Sequence, residues 1–219
     1  MPKILSIETS TALCSVALSS DGEVVASRSD ENRQHASLTA VFCDEVLREA
    51  GLRACDLDAV CISEGPGSYT GLRVGLSTAK GLCLGGGVKL LSVCSLDELA
   101  AMAGEEEACV VPMIDARRME VYTAVYAPGV KRLTPVEAKI IESGAFADIA
   151  PGAVFIGDGA LKCREAIGCG RFVEAFPQAT AMAPLAEREY AASAFRDVAY
   201  FTPFYLKDFV ATTSRKKLF

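Results

Sequence analysis

One pattern occurs twice in this chain, once in each half. Ile7-Glu8-Thr9-Ser10 is followed by Cys14-Ser15-Val16-Ala17-Leu18, and Ile114-Asp115-Ala116-Arg117 by Val121-Tyr122-Thr123-Ala124-Val125. Each copy is an apolar run that ends in a carboxylate, a tight polar turn, and an alternating return run. The first run predicts a buried strand and the alternation predicts its antiparallel partner. The repeat lies more in topology than in sequence, and it points to an α/β chain built from two related halves. Gly104-Glu105-Glu106-Glu107, glycine plus a charge run between apolar segments, is the expected linker. It divides the chain into residues 1–106 and 107–219.

The remaining elements follow from local signals. Asp21-Gly22 is a hairpin turn that joins Cys14–Leu18 to a third strand, Glu23–Ser29. Ser37 can cap a helix over Leu38–Ala50 that Gly51 stops. A buried strand is expected at Asp58–Ser63, a helix at Leu72–Leu84 and a strand at Val88–Val93. Ser95-Leu96-Asp97-Glu98 has the spacing of a capping box. In the second half a helix is expected near Phe146, a strand at Ala153–Ile156, a helix to about Ile167, a strand at Phe172–Phe176, and a helix over Pro184–Phe195. Pro203-Phe204-Tyr205-Leu206 is expected to be extended.

Composition narrows the function classes. The 219 residues include 22 Lys+Arg and 28 Asp+Glu, a net charge of −6. A dominant electrostatic grip on nucleic acid needs a basic patch, and the one basic cluster is Arg215-Lys216-Lys217. No apolar run reaches the roughly 18 residues of a membrane span. Met1-Pro2-Lys3 leads directly into a strand, so no signal peptide is expected. The nine cysteines form no Cys-x-x-Cys and mostly sit in apolar runs, as reduced, cytoplasmic thiols would. His35 is the single histidine, so no metal site is expected, and any Ser-His-Asp or Cys-His arrangement would have to use it.

Four motifs carry candidate chemistry. Glu8, Thr9 and Ser10 form a polar strand end where an open α/β fold can hold phosphate, a metal or water; the alternative is a plain polar turn. Gly65-Pro66-Gly67-Ser68-Tyr69-Thr70-Gly71 joins a strand to a helix but fits neither a P-loop nor a dinucleotide fingerprint. It is equally a tight turn with Thr70 as helix cap. The helix that follows carries a small-residue stripe, Gly71, Gly75, Ala79 and Cys83. Interior glycine costs about 1 kcal/mol against alanine, so the stripe implies close approach by another helix, within the chain or on a partner. Asp115-Ala116-Arg117-Arg118 sets a carboxylate and two guanidiniums on one turn, suited to phosphate or to a local ion pair. Gly157-Asp158-Gly159 is either a nucleotide contact or a strand-to-helix turn.

Taken together, Ile4–Ser10, Gln34-His35-Ala36-Ser37, Gly65–Arg73, Pro112–Tyr122, Gly157–Gly159 and Pro203–Leu206 resemble, in order and over nearly the whole chain, the TsaB (YeaZ) family. The resemblance implies a two-lobed actin/Hsp70/sugar-kinase-like (ribonuclease H-like) fold, mixed sheets flanked by helices. It implies a non-catalytic accessory role in threonylcarbamoyl transfer to adenosine 37 of ANN-decoding tRNAs, by dimerisation with the TsaD-type transferase. A TsaE-type ATPase joins, and tRNA is met only through the complex. It also implies a partner face on Leu38, Val41, Phe42, Gly71, Leu72, Gly75 and Ala79, with a homodimer as the form in isolation. The transferase paralogue holds a metal with His-x-x-x-His; here His35 is followed four residues on by Thr39, so no catalytic residue is assigned and no metal or cofactor is expected on this chain alone, ATP or ADP entering in the complex. Glu8, Thr9, Ser10, Asp115 and Arg117 are the candidate nucleotide or phosphate loop. The alternatives are a stand-alone glycoprotease-type peptidase and a small-molecule kinase of the same superfamily.

Overall fold

Lys3–Glu8 (β1) is buried along nearly its whole length because a strand pairs on each side of it and helices cover both faces. Its register partners are Cys14–Ser20 (β2), antiparallel, and Ala59–Gly65 (β4), parallel. Glu23–Asp30 (β3) pairs with β2 through the expected hairpin, where Asp21 and Gly22 both take positive φ, 57° and 76°. His35–Glu49 (α1) precedes β4; Tyr69–Gly86 (α2) connects β4 to Lys89–Cys94 (β5). The first sheet runs β3-β2-β1-β4-β5.

Ser95–Ala103 (α3) leads to the second sheet, which repeats this order. Val110–Asp115 (β6) takes the place of β1, Glu120–Thr123 (β7) that of β2, and Glu137–Ile140 (β10) that of β3. Two short strands intervene, Tyr126–Ala127 (β8) and Lys131–Arg132 (β9). Val154–Ile156 (β11), Ala160–Ile167 (α4) and Arg171–Val173 (β12) complete the copy, with β6, β11 and β12 parallel. Ala183–Ala191 (α5) returns to the first sheet, where Leu185 and Ala186 pack with Ile4, Ala59 and Leu91. Further on, the N–H of Arg196 donates to Leu90 O (2.8 Å) and that of Phe204 to Glu64 O (2.7 Å). The computed structural model describes residues 2–32, 34–104 and 109–207; Glu105–Glu107 of the expected linker and Arg215–Lys217 lie outside them.

Several local expectations are corrected. Helix α1 begins at His35 after Gln34, and the Ser37 hydroxyl, inside the first turn, donates to Gln34 O (3.0 Å). Ser68, not Thr70, caps α2: its backbone is extended and its Oγ accepts from the N–H of Gly71 (3.3 Å). Ser95 is not a cap, because the preceding Cys94 holds the extended cap position; Ser95 Oγ is instead paired with Ser63 Oγ (2.8 Å). The region near Phe146 is turns and a 3-10 segment rather than an α-helix, with Phe146 itself at φ 61°. Helix α5 ends at Ala191, short of Phe195.

Candidate functional site

The ends of β1 and β6 face one another across a cleft of about 820 Å3. The first half contributes Ser10, Thr11, His35 and the Gly67–Thr70 start of α2. The second contributes Asp115, Arg117, Tyr122 and Asp158, and residues 204–207 line the cleft as well. The loop before α2 lies hard against the β1–β2 turn. A Cβ on Gly67 would fall 2.3 Å from Ser10 O, and one on Gly71 2.0 Å from Thr9 O, so glycine is required for this approach. The N–H of Ser68 donates to Ser10 O (2.6 Å), tying the turn to the helix start.

The candidate loop is only partly assembled in the cleft. Ser10, Asp115 and Arg117 line it, but Glu8 and Thr9 do not. Thr9 is buried, its hydroxyl donating to Gly71 O (2.8 Å), and Glu8 lies beneath the turn, accepting the N–H of Ser10. On the opposite wall, Arg117 and Arg118 both have positive φ, 72° and 53°. This turn is braced by Lys162, whose ammonium donates to Asp115 and to the carbonyls of Arg118 (2.8 Å) and Glu120 (2.7 Å). Asp158 accepts the N–H of Asp115 (2.9 Å), and burial pushes its carboxyl up from the ordinary range. So Gly157-Asp158-Gly159 acts here as a brace for the β6 end. A Cβ on Gly157, at φ 138°, would meet Met113 O at 2.1 Å.

His35 Nε2 donates to Thr11 O (2.9 Å). Thr39, the position four residues on, is turned into the core: its hydroxyl donates to His35 O (2.7 Å) and accepts from the Cys14 thiol (3.4 Å). Sequence reasoning missed the terminal segment's part in the site. Tyr205 packs on Tyr69 with the rings tilted by 40° (centroids 4.9 Å) and its hydroxyl accepts from Arg73 Nε (3.3 Å), while Lys207 pairs with Glu120 of β7. The signal available was the aromatic pair after Pro203, a pattern that marks an anchored segment but not its target.

The expected partner face is corrected by burial. Gly71, Leu72, Gly75 and Ala79 are all buried within the chain. A Cβ on Gly75 would sit 2.4 Å from Thr9 Oγ1 and 3.7 Å from Ile7 Cγ2, so the neighbour that the stripe admits is β1 and not a partner helix. Of the α1 residues, Val41 is 46% exposed while Leu38 and Phe42 are half-buried. The outward face of α2 carries Ser77, Gly81, Leu84 and Gly85, and a Cβ on Gly81 or Gly85 would meet no atom within 4 Å.

The family model described as TsaD, tRNA N6-adenosine threonylcarbamoyltransferase, matches residues 23–145. The tRNA threonylcarbamoyladenosine biosynthesis protein TsaB of Escherichia coli is 37% identical over 126 residues, 57% of this chain and 54% of its own. The Bacillus subtilis protein of the same name is 33% identical over 124 residues, 56% and 54%. The chain thus spans about half the length of the curated relatives it matches. A Pseudomonas aeruginosa crystal structure, described as an uncharacterized protein with similarity to peptidase YeaZ, superposes with a TM-score of 0.84 at 27% identity, covering 94% of this chain and all of that one. The activator of 2-hydroxyisocaproyl-CoA dehydratase from Clostridium difficile, with bound ADPNP, matches at a TM-score of 0.50 and 12% identity over 88% of this chain and 96% of its own, which speaks to the fold alone. The duplicated sheets therefore have the actin/Hsp70/sugar-kinase-like fold, and this chain belongs to the TsaD family, on its TsaB (YeaZ) branch.

Proposed function

We propose that this chain is a non-catalytic subunit in threonylcarbamoyl transfer to adenosine 37 of ANN-decoding tRNAs, and that it acts by pairing with a TsaD-type transferase. The observation that carries the reading is the α1–α2 pair. Its inner face is locked on the chain's own sheet, and its outer face presents Val41, Leu84 and the open glycines Gly81 and Gly85. Small residues let a second helix pair approach closely, so two such pairs form a four-helix bundle. The same face would join two copies in isolation and exchange one copy for the transferase.

The acidic charge of −6 leaves tRNA binding mainly to the partner. The inward turn of Thr39, where the transferase has its second metal-binding histidine, supports a non-catalytic role. In this reading a TsaE-type ATPase joins the assembled pair, and ATP or ADP binds there rather than on this chain alone. Gly81→Leu tests the interface. It fills an open outer position, so the chain should keep its melting temperature while binding the transferase at least tenfold more weakly by calorimetry. Unchanged affinity would refute the assignment of the face, and threonylcarbamoyl transfer by this chain alone would refute the accessory role.

A further inference from the structure

Beneath the cleft floor lie two carboxyl groups that the proposed function does not use. Glu8, at the end of β1, and Glu98, in α3, are both fully buried. They come from opposite sides of the lobe junction: β1 is the central strand of the first sheet, while α3 packs Leu96 and Leu99 among Val110, Ile114 and Ile156 of the second. The two carboxyls are in contact, with the Ser63 hydroxyl beside Glu98. Glu8 Oε1 accepts the N–H of Ser10. Glu8 Oε2 and both oxygens of Glu98 are buried with no hydrogen-bond partner, and the Ser63 hydroxyl is itself paired with Ser95 Oγ (2.8 Å). Neither group forms an ion pair among the described residues.

Among the described residues the surroundings supply no compensating cation. From β4 come Ser63 and the Cys61 thiol, from the end of β5 the Cys94 thiol, from the start of α3 Ser95, and from β1 the unpartnered Ser6 hydroxyl. Burial pushes Cys94 up to about 12 and Cys61 well upward, so both thiols are neutral. Arg196, Glu64 and Glu189 act from farther out, on Cys61. The α3 surface turned to β6 and β11 is apolar. An isolated buried carboxylate is strongly disfavoured, and two in contact cannot both be ionised. Burial first, and the adjacent Glu8 second, raise Glu98 well above the ordinary carboxyl range.

We propose that Glu8 and Glu98 share one proton at neutral pH, carried by Glu98 and donated to Glu8, so that the pair latches the cleft-floor turn to the helix joining the two lobes. The proton supplies the missing donor, while Glu8 Oε1 holds the N–H of Ser10. Loss of that proton leaves a buried Glu98 carboxylate with no donor and loosens α3 from β1. The sign follows from the raised value. Glu98 contributes stability that is complete below its ordinary 4.5 and is lost as the pH rises through its folded-state value.

Glu98→Gln, which keeps the shape and the donor but cannot ionise, tests the latch in the full chain. Between pH 5 and pH 9 the melting temperature of the unmodified chain should fall relative to Glu98→Gln, the gap widening by several degrees, while the contribution of Asp158 is common to both. A protonated-carboxyl infrared band at pH 7 should be present in the unmodified chain and lose intensity in Glu98→Gln. If Glu98→Gln does not fold, the band is measured in Asp158→Asn, where its persistence assigns it to the glutamate pair. Parallel melting curves for the unmodified chain and Glu98→Gln, or no protonated carboxyl at pH 7 in Asp158→Asn, would overturn the proposal.

Discussion

Two glycines of α2, one buried against the sheet and one open to solvent, should respond to the same substitution with opposite sign. At Gly75 an added methyl meets Thr9 Oγ1 at 2.4 Å, and that hydroxyl cannot turn away without losing its 2.8 Å hydrogen bond to Gly71 O. Overpacking of this kind costs roughly 1–3 kcal/mol, and a buried hydroxyl left without its partner a further ~1–3 kcal/mol. Gly→Ala in a helix returns about 1 kcal/mol. Gly75→Ala should therefore destabilise the chain by about 3 kcal/mol, a fall in Tm of roughly 6–12 °C for a domain of this size. Gly81→Ala meets nothing within 4 Å and keeps the propensity gain, so its Tm should rise by about 2–4 °C. Scanning calorimetry on both variants decides the question. Thr9→Ala removes the obstructing oxygen, so Gly75→Ala should cost at least ~1 kcal/mol less on that background, as expected for residues in contact. Equal shifts for the two glycines, or no coupling between Thr9 and Gly75, would refute the inward assignment of the stripe.

The cysteines give a second check. Cys55 and Cys169 are exposed, whereas burial pushes Cys43 up to about 12 and Cys83 up to about 11. Mass spectrometry after brief alkylation at pH 8 should find Cys55 and Cys169 labelled first, with Cys43, Cys61, Cys83 and Cys94 labelled only after unfolding. Asp158 gives a third. Its raised carboxyl contributes stability that is complete below the ordinary 3.8 and lost as the pH rises through the folded-state value, so Asp158→Asn, which still accepts the Asp115 N–H, should flatten the urea-measured loss of stability over that interval.

The strands were legible because their signals are local. Lys3–Glu8, the Asp21-Gly22 turn and the second copy at Val110–Asp115 follow from apolar runs and turn chemistry that no tertiary contact overrides. The helix caps were less legible, since Ser68 and Thr70 are equivalent in sequence and only the extended backbone at Ser68 selects it. The glycine stripe is legible as a site of close approach, but the neighbour it admits is not. Spacing specifies a smooth helix face, whereas the identity of what lies on it depends on Thr9, which is brought there by sheet pairing from 62 residues away. The cleft was half legible: Ser10, Asp115 and Arg117 end up where the repeat implies, but Tyr205 and Lys207 reach it through a chain reversal that carries no local signature.

The asymmetry of the duplication bears on where a partner can bind. Helix α4 follows β11 as α2 follows β4, so each sheet keeps one helix of the pair. The second sheet has no helix in the place of α1: between β10 and β11 the chain forms turns and a 3-10 segment, and Phe146 from that stretch packs inward on Phe155 at 5.7 Å between ring centroids. Among the described residues a paired-helix face therefore exists on the first sheet alone. There the α1–α2 pair has both the apolar and the open small positions that close helix packing needs. A partner that docks by a four-helix bundle must then use the first lobe and leave the cleft, whose walls come from both lobes, accessible beside it. Substitutions on α4, such as Leu161→Glu at an exposed position, should accordingly leave transferase affinity unchanged while Gly81→Leu lowers it. Loss of binding by both would place the partner across the two lobes and refute this account.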